Sequence, residues 1–296
     1  WTVLPDVCLE QIIMRRPLIL DGAMGTELKN RGIDIPLPIW SADANLDHPE
    51  VVETIHSDYI SAGADIITTN TFRTTTWTYR RAGYTPIKAK ERARDSLLKA
   101  VECAQNASNK TVKIAGSITA VEDCYSPEKF PGKTVTEDTY GETLEWMRDG
   151  GVDLILFETM GNIHEVTLAM DMTQYLPIPL WLSLIMKDSG RILDGTPIQD
   201  LLSMIHEFKV DCLLTNCNQL ETTLSSIDQF NSTWKGEWGA YPNMGTTDYE
   251  NDYFETIDES NFSEGMTSIL NKYPHVIGVC CGSRPHHVKL LKSLVT

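Results

Sequence analysis

The chain has 296 residues, 42% of them apolar, which is enough to bury a large core. Its 25 Lys and Arg stand against 41 Asp and Glu, and the net charge of -16 excludes a surface built to neutralise a nucleic-acid backbone. No apolar run approaches the ~18 residues needed to cross a bilayer, and the opening WTVLPDVCLEQIIMRRP has no basic segment leading into a long apolar one, so the expectation is a soluble, unexported, cytoplasmic protein.

Eight short apolar runs punctuate the chain. In order they are PLILDGAMG from Pro17, ADIITTNTF from Ala64, VKIAGSIT from Val112, VDLILFETM from Val152, PLWLSLIM from Pro179, CLLTNC from Cys212, WGAYPN from Trp238 and VIGVCCG from Val276. They are mostly continuous in apolarity rather than alternating, which suits strands of a parallel sheet covered on both faces. The intervals between them carry helical spacing. Pro49 opens a segment whose inner face holds Val52, Ile55 and Tyr59; further on, Ala93, Leu97, Ala100, Val101 and Ala104 form a second stripe. In TPIQDLLSMIHEF, Ile198, Leu201, Leu202 and Ile205 share one face, and Thr196 and Gln199 have the spacing of a capping box with Pro197 at the first helical position.

Eight βα units in this length predict a single-domain (β/α)8 barrel, here spanning residues 1–296. The alternative, a doubly wound open sheet, would place a dinucleotide-binding G-x-G-x-x-G turn after the first strand; DGAMGTELKNRG has Gly22 and Gly25 but not that spacing.

In such a barrel the functional groups sit at the carboxyl ends of the strands. Those ends carry Asp21, Asn70, Thr119, Glu158, Met186, Cys217, Asn243, Cys280 and Cys281. The seven cysteines are an odd, irregularly spaced set that matches no disulfide framework and fits a reducing compartment. Cys8, Cys103, Cys124 and Cys212 read as small apolar fillers. Cys280 and Cys281 are adjacent, and a regular strand would aim them to opposite faces. Gly282 supplies the permissive backbone for a bend that brings both to one point. With Cys217 two strands away they read as three ligands of one metal ion, of which Zn²⁺ in tetrahedral geometry suits thiolates best. A strained vicinal disulfide and plain packing are the competing readings. His286 and His287 follow Pro285, which starts a helix that carries them away and leaves a fourth position open.

LILDGAMGT at the first run, LILFETM at the fourth, TNC at the sixth and GVCCGSRPHH at the eighth together resemble the homocysteine S-methyltransferase family, whose usual last motif reads GGCCG followed by Thr or Ser and a Pro. The resemblance runs from about residue 17 to the C-terminus. It implies a (β/α)8 barrel with zinc held by Cys217, Cys280 and Cys281, and a methyl transfer to the thiol of homocysteine to give methionine. It also points to Glu158 as the partner of the substrate ammonium, with Asp21, Gly22 and Ala23 lining the pocket. Asn243 is either a substrate contact or a structural residue. The expected donor is a sulfonium, S-methylmethionine or S-adenosylmethionine, with betaine as the alternative. Small molecules are then the partners, and the state is a monomer or small homo-oligomer. Val279 replaces the family's usual Gly, and Arg284 brings a large cation just beyond the thiols. A hydrolase with zinc-activated water, and a binding barrel with zinc as a staple, are the rival functions.

Trp40, Trp77, Tyr79 and Tyr125 fall in or near loops after the first three strands and could receive a cationic donor or simply pack. TTDYENDYFETIDESNFSEG, with seven acidic residues and no basic one, reads as a solvated insertion or as an attractor for that donor.

Overall fold

The computed structural model describes residues 16–248 and 253–295, with backbone alone for 246–248 and 253–254. The opening stretch, with its filler cysteine Cys8, lies outside the described residues.

Eight parallel strands form one sheet: β1 (Leu18–Ile19), β2 (Ile66–Thr68), β3 (Lys113–Ile118), β4 (Leu154–Met160), β5 (Leu180–Leu184), β6 (Cys212–Asn216), β7 (Glu237–Tyr241) and β8 (Val276–Ile277). Each pairs with its sequence neighbour, β8 returns to β1 through Leu18↔Val276 and Ile19↔Ile277, and the bridge Leu20↔Ile66 joins β1 to β2. The sheet therefore closes into the expected (β/α)8 barrel. All eight apolar runs supply one strand each. The first and last are only two residues long, because the chain leaves the sheet early to build the loops described below.

The helices between strands follow the predicted stripes. One runs over Pro49–Ala62 with Pro49 in its first turn, Val52, Ile55 and Tyr59 each 0% exposed, and a stop at Gly63 in the left-handed region. Burying side chains of this size contributes roughly 1.5–3 kcal/mol apiece before entropy is counted. A second, Pro86–Ser108, buries Ala93, Leu97, Ala100, Val101 and Ala104. The predicted capping box at the helix Ile198–Ile205 does not form. Pro197 is the residue preceding the helix, and Thr196 is drawn away by a turn in which its N–H donates to Asp194 Oδ1 at 2.8 Å. Among the described residues no helix is long and apolar enough to cross a membrane.

The barrel interior explains where the site lies. Ile66, Ala115, Leu156, Trp181 and Leu214 belong to one apolar cluster, separate from the larger one between strands and helices. Inward positions recur every two residues, and two residues on from these five stand Thr68, Ser117, Glu158, Ser183 and Asn216. The lining changes from hydrocarbon to hydrogen-bonding groups within one layer, at the carboxyl end of the strands.

Candidate functional site

Three thiols converge above that polar layer. Cys217 Sγ lies 4.0 Å from Cys281 Sγ, which lies 4.0 Å from Cys280 Sγ, and all three fall within 4.8 Å of one another. Cys280 and Cys281 come after β8 has ended, and Gly282, with φ of +80°, turns the chain so that neither thiol is bound by strand alternation. No disulfide joins them. Cys217 itself has φ of +55°, as does its neighbour across the barrel, Thr159, with +58°. Non-glycine residues in this region cost of order 1 kcal/mol and persist only where surroundings enforce them.

Asn216 provides the enforcement. Its Oδ1 accepts from Thr159 N–H at 2.9 Å and from the Ser183 hydroxyl at 2.7 Å, and its Nδ2 donates to Thr159 Oγ1 at 2.9 Å. Thr159 Oγ1 in turn donates to Cys217 Sγ at 3.7 Å, and Asn216 Nδ2 approaches Cys280 Sγ at 4.0 Å. Asn243 ties the two cysteine segments directly: its Nδ2 donates to Cys217 O at 3.0 Å, and its Oδ1 accepts from Cys281 N–H at 3.2 Å. The amide of Asn243 is thus committed to backbone.

Crowding these thiols raises the pKa of Cys280 well above the ordinary thiol range, through the contacts with Cys217 and Cys281 and through burial. A divalent cation reverses that penalty. Ligands of a tetrahedral ion with metal–sulfur bonds of ~2.3 Å stand about 3.8 Å apart, close to the separations here, so the donor set fits one such ion. Among the described residues no fourth protein ligand joins them. His287 Nδ1 instead accepts from Arg284 N–H at 3.0 Å in the first turn of the helix Pro285–Leu294.

Glu158 faces the thiols from β4. The Ser117 hydroxyl donates to its Oε1, and Tyr241 OH donates to Oε2 at 3.2 Å. Burial outweighs both and pushes its pKa up to about 7. Asp21, 3% exposed, accepts from Thr68 N–H at 2.9 Å and from Thr68 Oγ1 at 3.0 Å, yet burial still holds its pKa well above the usual carboxylate range. The next two residues, Gly22 and Ala23, are pinned to the thiol loop: Ala23 N–H donates to Ser283 Oγ at 2.9 Å, and a Cβ on Gly22 would stand 2.5 Å from that same oxygen. Asp21 to Ala23, Glu158, Asn243 and the three cysteines are all gathered at one end of the barrel.

Other candidates lie elsewhere. Arg284 turns from the thiols to Glu27, Nε to Oε1 at 3.1 Å, and Val279 is buried. Tyr79 is fully buried with its hydroxyl on Asp43, and Trp77 Nε1 donates to Glu122. Of the four aromatic candidates Tyr125 reaches the thiols, its hydroxyl 4.0 Å from Cys281 Sγ. Of the fillers, Cys103 packs under Pro49 and Cys212 lies in the barrel interior, whereas Cys124 sits beside the site, its pKa pushed up to about 12 by burial. The acidic stretch forms a hairpin, Gly245–Asp248 with Tyr253–Thr256, and then the helix Glu259–Leu270, which Asp258 caps. Thr159, Asn216, Ser117, Tyr241 and Ser283 were not singled out in the sequence, although Asn216 and Ser283 stand inside the motifs TNC and CCGS.

The model of the homocysteine S-methyltransferase family matches residues 18–295. The chain belongs to that family. The methyltransferase is 26% identical over 303 residues to the homocysteine S-methyltransferase of Escherichia coli K12, covering 93% of this chain and 94% of the relative. It is 25% identical to the selenocysteine Se-methyltransferase of Brassica oleracea var. italica, over 94% of this chain and 89% of that one. Its fold is similar to the crystal structure of the metallated form of the E. coli homocysteine methyltransferase MmuM, with a TM-score of 0.82, 24% identity, and coverage of 94% of this chain and 96% of that one.

Proposed function

We propose that this methyltransferase moves a methyl group from a sulfonium donor, S-methylmethionine or S-adenosylmethionine, to the sulfur of L-homocysteine, giving methionine, with Zn²⁺ held by Cys217, Cys280 and Cys281. The observation that carries this is the convergence of three thiols, without a fourth protein ligand among the described residues, above a half-buried carboxylate in a barrel of this family. A structural staple calls for a closed set of ligands, and a zinc hydrolase calls for His or carboxylate ligands. Neither matches.

Bound there, zinc supplies deprotonation of the acceptor thiol and keeps its sulfur nucleophilic at neutral pH. The remaining work belongs to the chain. Glu158 takes the acceptor's ammonium, whose charge favours the ionised carboxylate that burial otherwise disfavours. Ser117 and Tyr241 fix that carboxylate in place. Asp21, Gly22 and Ala23 form the pocket wall, held rigid by Thr68 and Ser283. Asn243 acts through backbone, holding the two cysteine segments at a constant separation. Transfer requires no general base at the moment of reaction, so alignment of acceptor sulfur and donor methyl provides much of the rate. Residues 1–296 form one catalytic unit in this reading, working in a compartment that keeps thiols reduced.

The test is a donor panel. Zinc-loaded protein is incubated with homocysteine and S-methylmethionine, S-adenosylmethionine or betaine, and methionine is quantified. Formation from a sulfonium donor, lost on Cys217→Ala together with the metal, is the expected result; methionine from betaine alone overturns the donor assignment. The similarity to a selenocysteine Se-methyltransferase favours one second reading, an acceptor selenol, so selenocysteine belongs in the acceptor arm.

A further inference from the structure

Transfer from a sulfonium needs a grip on the donor besides its reacting methyl, and two loops at the barrel mouth carry side chains suited to it. Arg73 lies in the loop after β2, half-buried. Its Nη1 donates to the backbone carbonyl of Glu122 at 2.7 Å, and its guanidinium carbon lies 5.4 Å from the centre of the Phe72 ring. The Glu122 carboxylate is taken by Trp77 and Arg81, so Arg73 meets only that residue's carbonyl. Among the described residues no carboxylate lies within ion-pair distance of Arg73, and the nearby Glu165, which feels its charge, is itself bonded to Val121 N–H and Tyr140 OH. A partly desolvated guanidinium has five donors in a planar fork that matches a carboxylate, and among the described residues the Glu122 carbonyl is the one hydrogen-bond acceptor it meets.

The segment to which Arg73 is bonded also carries Tyr125. The residue is 39% exposed and its hydroxyl stands 4.0 Å from Cys281 Sγ. Between them, Cys124 is close enough for its thiol to feel both the Arg73 cation and Cys281. Arg73, bonded to Glu122, and Tyr125, beside Cys281, are therefore anchored on one and the same loop.

We infer that Arg73 and Tyr125 form the donor subsite, the ring face of Tyr125 receiving the methyl-bearing cation beside Cys281 and the Arg73 fork binding a carboxylate at the donor's far end. The donor class is a small zwitterion with a sulfonium and a carboxylate, the chemistry of S-methylmethionine, and the inference rests on the sulfonium reading above. In the transfer, the acceptor sulfur supplies the electron pair of the new S–CH₃ bond. The methyl–sulfonium bond breaks with its pair kept by the donor sulfur, and the donor leaves as a neutral thioether. No oxidant or proton is consumed.

The test compares S-methylmethionine with trimethylsulfonium, which has the cation but no carboxylate, at saturating homocysteine on zinc-loaded wild type, Arg73→Met and Arg73→Lys. Losing a charge-assisted bidentate contact should raise KM for S-methylmethionine roughly 10- to 100-fold in Arg73→Met, with Arg73→Lys in between, so that the preference for S-methylmethionine over trimethylsulfonium falls by that factor. Tyr125→Leu should raise KM for both donors, and Tyr125→Phe should restore it, because a cation needs the ring rather than the hydroxyl. Homocysteine affinity, measured by calorimetry without donor, and zinc content report the integrity of each variant. An equal loss for both donors in Arg73→Met, or a loss confined to homocysteine affinity, overturns the subsite while leaving the sulfonium reading intact. A wild type that turns over neither donor sinks that reading and the subsite with it.

Discussion

Replacing Asn216 by Ala tests how the metal-binding geometry is held. The side chain is 0% exposed and makes three short hydrogen bonds, to Thr159 N–H, Thr159 Oγ1 and the Ser183 hydroxyl. At about 1 kcal/mol for each neutral bond, and with buried groups left unpaired in the variant, the metal-free protein should lose about 3 kcal/mol in urea unfolding. The loss should also reach the thiols. Thr159 and Cys217 are both held with positive φ, and relaxation of either moves Cys217 Sγ away from Cys281. Zinc affinity, measured by competition with a chromophoric chelator, should therefore fall roughly 10- to 100-fold, the usual penalty for removing an outer-shell partner. Ser183→Ala, which removes one of the three bonds and touches no sulfur, should cost about 1 kcal/mol and leave zinc affinity as it was. If Asn216→Ala unfolds as expected but binds zinc as tightly as wild type, the amide only fills the barrel and the enforced geometry of Cys217 is an incorrect account.

Further outcomes can be checked independently. Glu158→Gln should raise KM for homocysteine at least 10-fold while KM for a sulfonium donor changes little, since a neutral amide cannot balance an ammonium; steady-state kinetics with both substrates varied decides it. Gly22→Ala should weaken homocysteine binding and lower the melting temperature, because the added methyl would meet Ser283 Oγ at 2.5 Å and the Tyr59 ring at 2.8 Å, and calorimetry reads both. His56 is fully buried with neither ring nitrogen hydrogen-bonded among the described residues, and burial lowers its pKa to about 4. The unfolded chain binds that proton near pH 6.5, so stability is full above that value and falls by about 3 kcal/mol as pH drops from ~6.5 to ~4. His56→Leu should flatten that part of the pH–stability curve; an unchanged slope from urea melts would mean the imidazole is solvated.

The barrel was legible because each strand is buried between an apolar interior and a helical layer, which forces continuous apolar runs, and all eight runs became strands. The thiol trio was legible in part: spacing alone left metal binding and plain packing open, and the family resemblance carried by TNC and GVCCGSRPHH singled out three cysteines that the fold brings within 4.8 Å of one another. The capping box failed for a local reason. Thr196 had the right spacing but lay in a turn governed by Asp194, and a competing side chain two residues away took its N–H. Arg284 failed for a distant one: the carboxylate that attracts it, Glu27, is 257 residues away in sequence.

Chain order and residue type by themselves determined the barrel and the end of it at which Cys217, Cys280 and Cys281 gather. The tertiary structure alone decided what surrounds those sulfurs. Thr68, Ser117, Ser183, Asn216 and Tyr241 each look like an ordinary strand residue when read in place, and their joint character appears only when closure brings the inward positions of separate strands into one layer. The same closure desolvates Glu158 until its pKa approaches 7, aims Tyr125 at Cys281 and bonds Arg73 to a backbone carbonyl. Hydrophobic periodicity is local and can be counted along a chain. Hydrogen-bond satisfaction and desolvation depend on groups far apart in sequence, so they exist only in the folded molecule.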